Sequence, residues 1–418
     1  MPTPATEPRA ALVALFDDVT RALDPAERVA AAVRARVPAG ARARVLAVGK
    51  AAVAMALGAA AALGDRLAGG LVVAPAVAEL PPGVDLAIGS HPRADARSEA
   101  AGQALLAAAS AGGADRVLAL ISGGASALAV VPAPGLATGE VQALVGRVMA
   151  GGAPIADLNA VRKHLSALKG GRLAAAATAP VLTLVCSDVV GDDLATVGSG
   201  PTVPDPTTYA DAVAACARWA ADATGPARDH LEAGARGERD ETPKQPRPGD
   251  EALLVAGIAT LVQEAAAAGA RHLAGPVEVV DEPLVGPVEE VAARVADWLR
   301  DPGPRVVVAG GEPTVALPPS PGRGGRARQL ALLVARALAD RPGWTLLAAG
   351  SDGIDGTRDA AGAVVDGSTW DRVRAAGIDP DRAVAACDAG TALAAAGDQL
   401  VTGPTGVNHA DLLVGVVV

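Results

Sequence analysis

Charged and hydroxyl side chains stand directly after several short apolar runs in this sequence, and groups of these types can bind anions. A lysine attracts phosphate or carboxylate, a glycine turn offers successive backbone N–H groups, and a carboxylate can hold Mg²⁺ or orient a hydroxyl. The cases, in chain order, are Lys50 after residues 45–48, the turn from Ser122 to Ser126 after 117–121, and Asp188 after 181–186. This combination indicates chemistry on a phosphorylated or carboxylated ligand.

Lysine is rare in the sequence, which makes each lysine in a polar segment a candidate ligand group. Among the 36 lysine and arginine residues, the lysines are only Lys50, Lys163, Lys169 and Lys244. Lys163 follows Arg162 in a segment predicted to be helical, where Arg162 shares a face with Ser166. A cationic patch that faces a phosphorylated ligand and an ordinary solvated helix face both fit this pattern.

Two further segments carry groups suited to anions or cations. Arg326 begins a predicted helix after a pair of glycines, and a guanidinium matches the planar shape of carboxylate and phosphate. Asp188, Asp192 and Asp193 lie in one polar loop, where they could hold Mg²⁺ through one or two carboxylates or serve as turn caps. The acidic segment 350–359 lacks the ligand spacing and the closing Glu of a calcium-binding loop.

The composition argues against several classes of protein. Net charge is −10, aromatic residues make up 1% and no basic stripe is present, which argues against a nucleic-acid partner. The three cysteines are widely spaced, so neither a disulfide framework nor a metal-binding pair is expected. No secretory signal and no apolar run of about 20 residues occurs, which predicts a cytoplasmic protein without a membrane partner.

Two common nucleotide-binding motifs are missing from the sequence. No lysine is followed by Ser or Thr as in the phosphate-binding loop G-x-x-x-x-G-K-[ST]. The nearest match to the dinucleotide motif G-x-G-x-x-G begins at Gly322, but it follows PPSP rather than a strand. The sequence therefore gives no support for a nicotinamide-dependent enzyme.

The elements that must position these groups alternate between strand and helix. Apolar runs such as 45–48, 117–121 and 181–186 predict strands buried on both faces, and helical segments separate them. This alternation predicts an α/β fold with a doubly wound parallel sheet. Because ligands bind at the carboxyl ends of the strands in such sheets, the polar groups stand where a site is expected.

The change of composition near the middle of the chain predicts two domains. We expect an N-terminal domain over residues 1–235, an exposed linker over 236–251, and a second α/β domain over 252–418. The linker is charged and rich in proline and glycine. The second domain is expected to begin with a helix over 252–269.

Nine collinear segments together span nearly the whole chain. They are VGKAAVAMA (48–56), GSHP (89–92), SGGASAL (122–128), NAVRKHLSALKGGRLA (159–174), SDVVGDDLATVGSGPTVPDPTT (187–208), ETPK (241–244), GGEPTV (310–315), GSDGIDGTRDAAGAVVD (350–366) and TGPTG (402–406). In this order they resemble the glycerate 2-kinase family, whose C-terminal half is called the MOFRL domain. The resemblance implies a Rossmann-like N-terminal domain and a smaller MOFRL-like α/β domain. It also implies phosphorylation of D-glycerate to 2-phosphoglycerate by ATP, with Mg²⁺, in the cleft between the two domains.

The resemblance points to Lys50 and Arg326 as active-site residues, and the polar segments supply the other predicted ligands. The predicted catalytic residues are Lys50, Arg326 and Asp188. The predicted nucleotide and phosphate ligands are Ser122, Gly123, Gly124, Ser126, Lys163, Gly403 and Thr405. The predicted substrate ligands are His91, Arg162, Asp352 and Asp355, and the predicted Mg²⁺ ligands are Asp188 and Asp192.

The sequence leaves several points open. Within the kinase class, the substrate is D-glycerate or another short hydroxy acid, and a homodimer is a possible assembly. A hydroxypyruvate reductase, built on similar α/β layers, is the alternative enzyme. A non-catalytic relative that binds a sugar acid is a further alternative, because Ala327-Arg328-Gln329 stands where the family usually has Asn-Gln-Glu.

Overall fold

The computed structural model describes residues 8–339 and 341–418, which form two compact units. One unit comprises residues 25–255 and is called here the N-terminal unit. The other comprises residues 256–418 together with 8–24 and is called the C-terminal unit. The helix α1, Pro8–Ala22, therefore belongs with the C-terminal half of the chain. The domain boundaries expected at 235 and 252 stay a prediction.

A sheet forms the centre of the N-terminal unit because its strands are short apolar runs that can be covered on both faces. The strands are β1 Ala43–Val48, β2 Leu67–Ala74, β3 Val84–Ile88, β4 Arg116–Ser122, β5 Val181–Cys186 and β6 Glu251–Ala256. In the part of the chain that the structure describes, these six strands follow the order β3-β2-β1-β4-β5-β6. The neighbouring pairs from β3 to β5 are all parallel, which confirms the predicted fold class.

Nine helices are described in the N-terminal unit, and two apolar core clusters hold several of them. They are α2 Pro25–Arg36, α3 Ala52–Leu63, α4 Ala96–Ser110, α5 Ala125–Leu128, α6 Thr138–Ala150, α7 Ile155–His164, α8 Arg172–Ala176, α9 Tyr209–Trp219 and α10 Pro226–Ala235. One core cluster joins strand residues such as Leu46 and Ile121 to Leu105 of α4. A second cluster joins α6, α7, α9 and α10 around Val148, Val161 and Leu231. These four helices thus share an apolar core of their own.

The sheet of the C-terminal unit is mixed rather than parallel. Its strands are β7 Val277–Val279, β8 Leu284–Pro287, β9 Arg305–Thr314, β10 Trp344–Gly350, β11 Gly362–Asp366, β12 Gln399–Leu400 and β13 Asp411–Val417. They follow the order β12-β11-β10-β13-β9-β7, with β8 paired to β9. The β10–β13 and β13–β9 pairs are antiparallel, whereas β7 and β8 run parallel to β9. Helices α11 Ile258–His272, α12 Val288–Arg300, α13 Arg326–Ala337, α14 Thr369–Ala375, α15 Pro380–Ala385 and α16 Ala389–Ala395 complete the unit.

Helix α1 packs on α11 and also contacts β10 and β11. Its apolar face is fully covered, and Phe16 is 0% exposed. Arg9 adds an ion pair at 2.7 Å to the Asp398 carboxylate, and the Asp18 carboxylate lies 2.8 Å from Nε2 of His272. The start of the described chain is therefore an integral part of the C-terminal unit.

One predicted element is wrong at the junction between the units. Residues 252–269 were expected to form one helix, but Glu251–Ala256 is the edge strand β6, and α11 begins only at Ile258. The physical reason is Gly257, an extended residue that separates a short apolar run from the helix. Among the residues that the structure describes, no helix has both the length and the apolar character to cross a membrane.

Candidate active site

The strand order places a crevice beside the carboxyl ends of β1 and β4. From β1 the chain proceeds outward through β2 and β3, and it then returns to β4 on the other side of β1 before continuing through β5. In open α/β sheets, ligands bind where the strand order reverses in this way. Lys50 follows β1 and the turn from Ser122 follows β4, so both predicted segments stand at the reversal point.

Hydrogen bonds join the two turns to each other. The backbone N–H of Lys50 donates to the carbonyl of Gly123 at 2.9 Å, and the N–H of Ala51 donates to Oγ of Ser122 at 3.1 Å. Gly49 has a φ of 135°, and a Cβ at this position would lie 2.1 Å from Oγ of Ser122. Only glycine fits such a close approach, so the apposed turns hold the start of the Lys50 side chain in place.

The side chains of Lys50, His91 and Asp188 converge on the glycine pair of the second turn. A Cβ on Gly124 would lie 3.3 Å from Cγ of Lys50 and 3.2 Å from Cδ2 of His91. A Cβ on Gly123 would lie 1.9 Å from Oδ2 of Asp188. We use the name switch-point site for Ser122 together with the five residues just described, which are Lys50, His91, Gly123, Gly124 and Asp188. It combines a cation, an imidazole and a carboxylate around the backbone of a glycine turn.

Backbone donors complete the switch-point site. Gly124 has a φ of 84°, which turns the chain sharply into α5. The N–H groups of Gly124, Ala125 and Ser126 donate to no acceptor among the residues that the structure describes. Successive free N–H groups in a turn form a concavity that suits phosphate oxygens.

The charge state of His91 follows from its neighbours. Partial burial and the nearby Lys50 ammonium lower the pKa of His91, while the Asp188 carboxylate opposes the shift. The imidazole is therefore neutral at neutral pH and has one nitrogen that can accept a proton or a hydrogen bond. It provides a polar group beside Lys50 without adding a second positive charge.

Ser126 leads from the switch-point site to two further cations. The carbonyl of Ser126 accepts a hydrogen bond at 2.9 Å from Nζ of Lys169, which also donates to the carbonyl of Ala129 at 3.2 Å. Arg162 is close enough to Lys169 to repel its charge. The sequence predicted Arg162 as a ligand but did not select Lys169. The rarity of lysine had marked Lys169 as a candidate, but no motif in the sequence gave it a role.

Lys163 points away from this group into a buried network. Its Nζ pairs with Asp205 at 3.0 Å, and both side chains are almost fully buried. Thr242 donates to the other oxygen of Asp205, and Glu241 lies 3.0 Å from Nε2 of His164. The segment 241–244 therefore connects α7 with the loop before α9 through these hydrogen bonds. This ion pair favours a structural role for Lys163 over the predicted contact with phosphate.

The predicted metal ligands lie in the loop after β5. Asp188 reaches the switch-point site, and Asp192 lies four residues further on with a φ of 51°. Within residues 8–339 and 341–418, no group of three or more His, Cys, Asp or Glu side chains could by itself hold a metal ion. Mg²⁺ usually keeps waters and binds one or two carboxylates together with substrate phosphates. A single carboxylate beside a phosphate cradle fits that mode of binding.

In the C-terminal unit, Arg326 is held between two carboxylates. It begins α13, and its guanidinium contacts Asp411 at 2.6 Å and Glu312 at 2.6 Å. Burial opposes the charge on Arg326, but Asp411 and Glu312 outweigh it and raise the pKa of the guanidinium. Complete burial raises the pKa of Asp411 to about 6, against the opposing attraction of Arg326. Glu312 and Asp411 lie 14 and 85 residues away from Arg326 in sequence, so no pattern within a single segment pairs them with it.

Asp355, one of the predicted substrate ligands, is bound within the protein near Arg326. The Asp355 carboxylate accepts hydrogen bonds from the N–H groups of Ala327 and Arg328 at 3.1 Å each, so it caps α13. It also pairs at 2.9 Å with the fully buried Arg328. This arrangement favours a structural role for Asp355 over the predicted substrate contact.

Two glycine-rich loops of the C-terminal unit pack on each other. Thr405 donates from Oγ1 to the carbonyl of Ser351 at 2.5 Å, and its N–H donates to the carbonyl of Asp352 at 3.1 Å. A Cβ on Gly353 would lie 2.0 Å from the carbonyl oxygen of Gly403. Asp352, Asp355, Arg326 and Asp411 line one cavity of about 660 Å³. The structure thus brings Arg326 and Asp352 to the same cavity, with Thr405 supporting its wall.

Comparisons with known proteins match both halves of the chain. Residues 11–232 match the family described as a domain of unknown function, DUF4147, and residues 305–411 match the MOFRL family. A putative hydroxypyruvate reductase of Agrobacterium vitis is 42% identical, covering 86% of this chain and 83% of its own. The glycerate 2-kinase of Pyrococcus horikoshii is 35% identical, covering 72% of this chain and 71% of its own.

A solved structure agrees with these matches. The crystal structure of a glycerate kinase from Thermotoga maritima superimposes with a TM-score of 0.90 at 31% identity. The match covers 98% of this chain and 99% of that protein.

Proposed function

Because the chain belongs to the glycerate kinase family that joins a DUF4147 domain to a MOFRL domain, we propose that it is an ATP-dependent kinase of D-glycerate or a closely related short hydroxy acid. The reaction would move the γ-phosphoryl group of ATP to a substrate hydroxyl, which for D-glycerate gives 2-phosphoglycerate. The proposed ligands are small molecules, and a homodimer stays a prediction.

The observation that carries the proposal is the convergence of Lys50, His91 and Asp188 on one glycine turn. Phosphoryl transfer asks the protein for positioning and for neutralisation of charge rather than for covalent chemistry. A lysine and free N–H groups neutralise phosphate oxygens, and a carboxylate can orient a hydroxyl or help to hold Mg²⁺. The switch-point site contains each of these groups.

We assign roles on this basis. Lys50 steadies the phosphoryl group during transfer, and the turn from Ser122 to Ser126 cradles its oxygens. Asp188 orients the acceptor hydroxyl or binds the Mg²⁺ that arrives with the nucleotide, with Asp192 in the same loop. Bound Mg²⁺ would neutralise phosphate charge. His91 is a neutral hydrogen-bonding partner for the acceptor acid.

The C-terminal unit contributes Arg326 in this proposal. Its guanidinium is oriented by Asp411 and Glu312, and the remaining donors of the fork are suited to a carboxylate or phosphate. Asp352 lines the same cavity and is the proposed partner for a substrate hydroxyl. Gly403 and Thr405 keep the loops around this cavity in place.

The test is a measurement of ADP release over a panel of three- to five-carbon hydroxy acids, with ³¹P NMR of the product. We expect D-glycerate to be among the substrates and Mg²⁺ to be required. Lys50→Ala should lower kcat by about 10² to 10³, the usual effect of removing one electrostatic contact to a transition state. A Lys50→Ala variant with near-normal kcat would reject the role of Lys50.

Two relatives carry the name putative hydroxypyruvate reductase, which makes that activity the second candidate. NADH oxidation in the presence of hydroxypyruvate tests it directly. We expect none, because the sequence has no dinucleotide motif after a strand. Turnover of NADH without ADP release from any acid would replace the kinase proposal.

A further inference from the structure

A cavity of about 640 Å³ adjoins the switch-point site within the N-terminal unit. His91 and Ser126 line it and connect it to the glycine turn. Much of its wall is apolar and comes from residues 130–131 and from helix α6, including Val141 and Val145. The proposed transfer reaction leaves this cavity without an assigned occupant.

Three cations line the cavity, namely the exposed Arg93 and the more enclosed Arg162 and Lys169, and no carboxylate among the described residues does so. Lys169 is 5% exposed, and its ammonium donates only to two backbone carbonyls. The guanidinium of Arg162 donates to no acceptor in the part of the chain that the structure describes. Positive charge that is removed from water without an anionic partner is costly, so these two groups are poised for an anion from solution.

The cations form a series that leads out of the cavity. Arg162 lies close to Lys169, and Lys169 donates a hydrogen bond to the carbonyl of Ser126. His91 lines the cavity together with Ser126, and it approaches Gly124 as Lys50 does. The series therefore joins an apolar chamber to the phosphate cradle. A ligand that follows it has an apolar body at one end and several negative charges at the other.

We propose that this cavity binds the nucleoside end of the phosphoryl donor, with the polyphosphate chain running past Lys169 and Arg162 toward Lys50. The inference rests on the proposed kinase function and assigns its donor subsite. Purine rings can pack between aliphatic walls, and cavities of this volume are typical for ligands of nucleotide size.

The small acid is a poorer occupant for two reasons. A three-carbon hydroxy acid has only about seven heavy atoms and would leave most of the volume unfilled. Its hydroxyls also need polar partners, but the polar wall groups are already used. Nε2 of Gln142 donates to the carbonyl of Ala94 at 2.7 Å, Thr138 donates to Glu99, and Oγ of Ser166 donates to the carbonyl of Val131 at 3.1 Å.

The test fills the cavity without touching a charged group. Gly146 lies within α6 and lines the cavity, and a Cβ there meets nothing within 4 Å. Gly146→Phe should therefore fold and should weaken ADP binding by about tenfold or more in isothermal titration calorimetry. The matched control is Gly139→Phe, on the same helix, outside the cavity and equally open. It should bind ADP like the natural protein.

D-glycerate is the second probe, with its KM measured at saturating ATP for both variants. We expect Gly146→Phe to leave this KM within about twofold while the KM for ATP rises. A rise in the KM for D-glycerate with unchanged ADP binding would make the cavity the acid subsite and overturn the proposal. Unchanged constants for both ligands would overturn it as well.

The outcomes also separate this inference from the proposed function. A natural protein that binds ADP, loses that binding in Gly146→Phe and phosphorylates no acid supports the subsite while rejecting the kinase proposal. If the natural protein phosphorylates D-glycerate and the Gly146→Phe variant behaves identically, the kinase proposal is supported and the donor subsite is rejected.

Discussion

Lys163 and Lys169 lie six residues apart, but only the ammonium of Lys163 has a carboxylate partner. The Lys163 ammonium meets the buried Asp205 carboxylate at 3.0 Å, whereas that of Lys169 meets only backbone carbonyls and a neighbouring arginine. A buried charge with a counter-ion is already compensated within the protein, whereas one without a counter-ion is available to a charged ligand. At this scale, the partner rather than the residue type decides the function.

The Lys163–Asp205 pair predicts a large effect on stability. Lys163→Met leaves the Asp205 carboxylate buried without its cation, which should cost about 3 kcal/mol or more in the free energy of unfolding. Thermal unfolding should show a clear fall in Tm. The control is Arg236→Met, which breaks an exposed pair with Glu238 and should leave Tm almost unchanged. Equal Tm values for the two variants would contradict a structural role for Lys163.

Lys169 predicts proton uptake when nucleotide binds. Burial, and then the Arg162 charge, lower the pKa of Lys169 to about 7. At pH 8 much of the amine is therefore neutral, and an anion bound beside it raises its pKa and draws a proton from solution. The protein takes this proton from the buffer, so the observed binding enthalpy of ADP should increase with the ionisation enthalpy of the buffer.

The control for that prediction is Lys169→Met, in which the uptake should be lost. His91 also faces the cavity, but its pKa is lowered from 6.5, so it contributes little at pH 8. Arg162 stays charged at this pH. Proton release, or the same uptake in Lys169→Met, would show that another group titrates.

At the scale of elements, the turns after β1, β4 and β5 decide where the reactive groups meet. Each turn follows a strand of one parallel sheet, so its side chains share one edge. Glycine is required where these turns touch, because a Cβ on Gly49 or Gly123 would overlap Ser122 or Asp188. The spacing of the strands thus fixes the separation of the groups.

Gly123→Ala tests this arrangement. The new Cβ would lie 1.9 Å from Oδ2 of Asp188, so the carboxylate must move. A displacement of about 1 Å at a reacting group can cost about 10² in rate, and we expect a fall of that size in kcat for D-glycerate with a nearly unchanged Tm. Gly112→Ala, where a Cβ meets nothing within 4 Å, should keep normal kcat. A normal kcat in Gly123→Ala would mean that Asp188 needs no fixed position.

The same scale explains what could be predicted from the sequence. Strands β1, β4 and β5 are continuous apolar runs that end in polar turns, so the sheet and the positions of Lys50, Ser122 and Asp188 were predictable. Strand β6 was not, because its apolar run continues into a helix after one glycine. Contacts between distant segments were not predictable either, since no local pattern pairs Arg326 with Asp411 or Lys163 with Asp205.

At the scale of the molecule, the first and the last of the described residues belong to the same unit. Residues 8–24 and 256–418 fold together, and the N-terminal unit is inserted between them. Helix α1 supplies buried apolar side chains, among them Leu12 and Phe16, to a unit that otherwise consists of residues 256–418. Substitutions in α1 should therefore change the stability of the segment 256–418.

Phe16→Ala provides the measurement. Removing a fully buried phenylalanine should destabilise the C-terminal unit by about 3–5 kcal/mol. Hydrogen exchange should then speed up in α11 and β10, which contact α1, and stay unchanged in β1 and β4. Phe16→Leu, which keeps most of the side-chain volume, should show a smaller change in the same segments. Faster exchange confined to the N-terminal unit would contradict this assignment of α1.

The position of α1 also has a consequence for synthesis on the ribosome. The helix emerges early, but α11 follows only after the roughly 230 residues of the inserted unit, a delay of about 10 to 50 seconds at ordinary translation speeds. During this interval the apolar stripe of α1 faces water, and the inserted unit has time to fold ahead of its neighbour. The apolar face of α1 is therefore without its native contacts until α11, β10 and β11 have been translated.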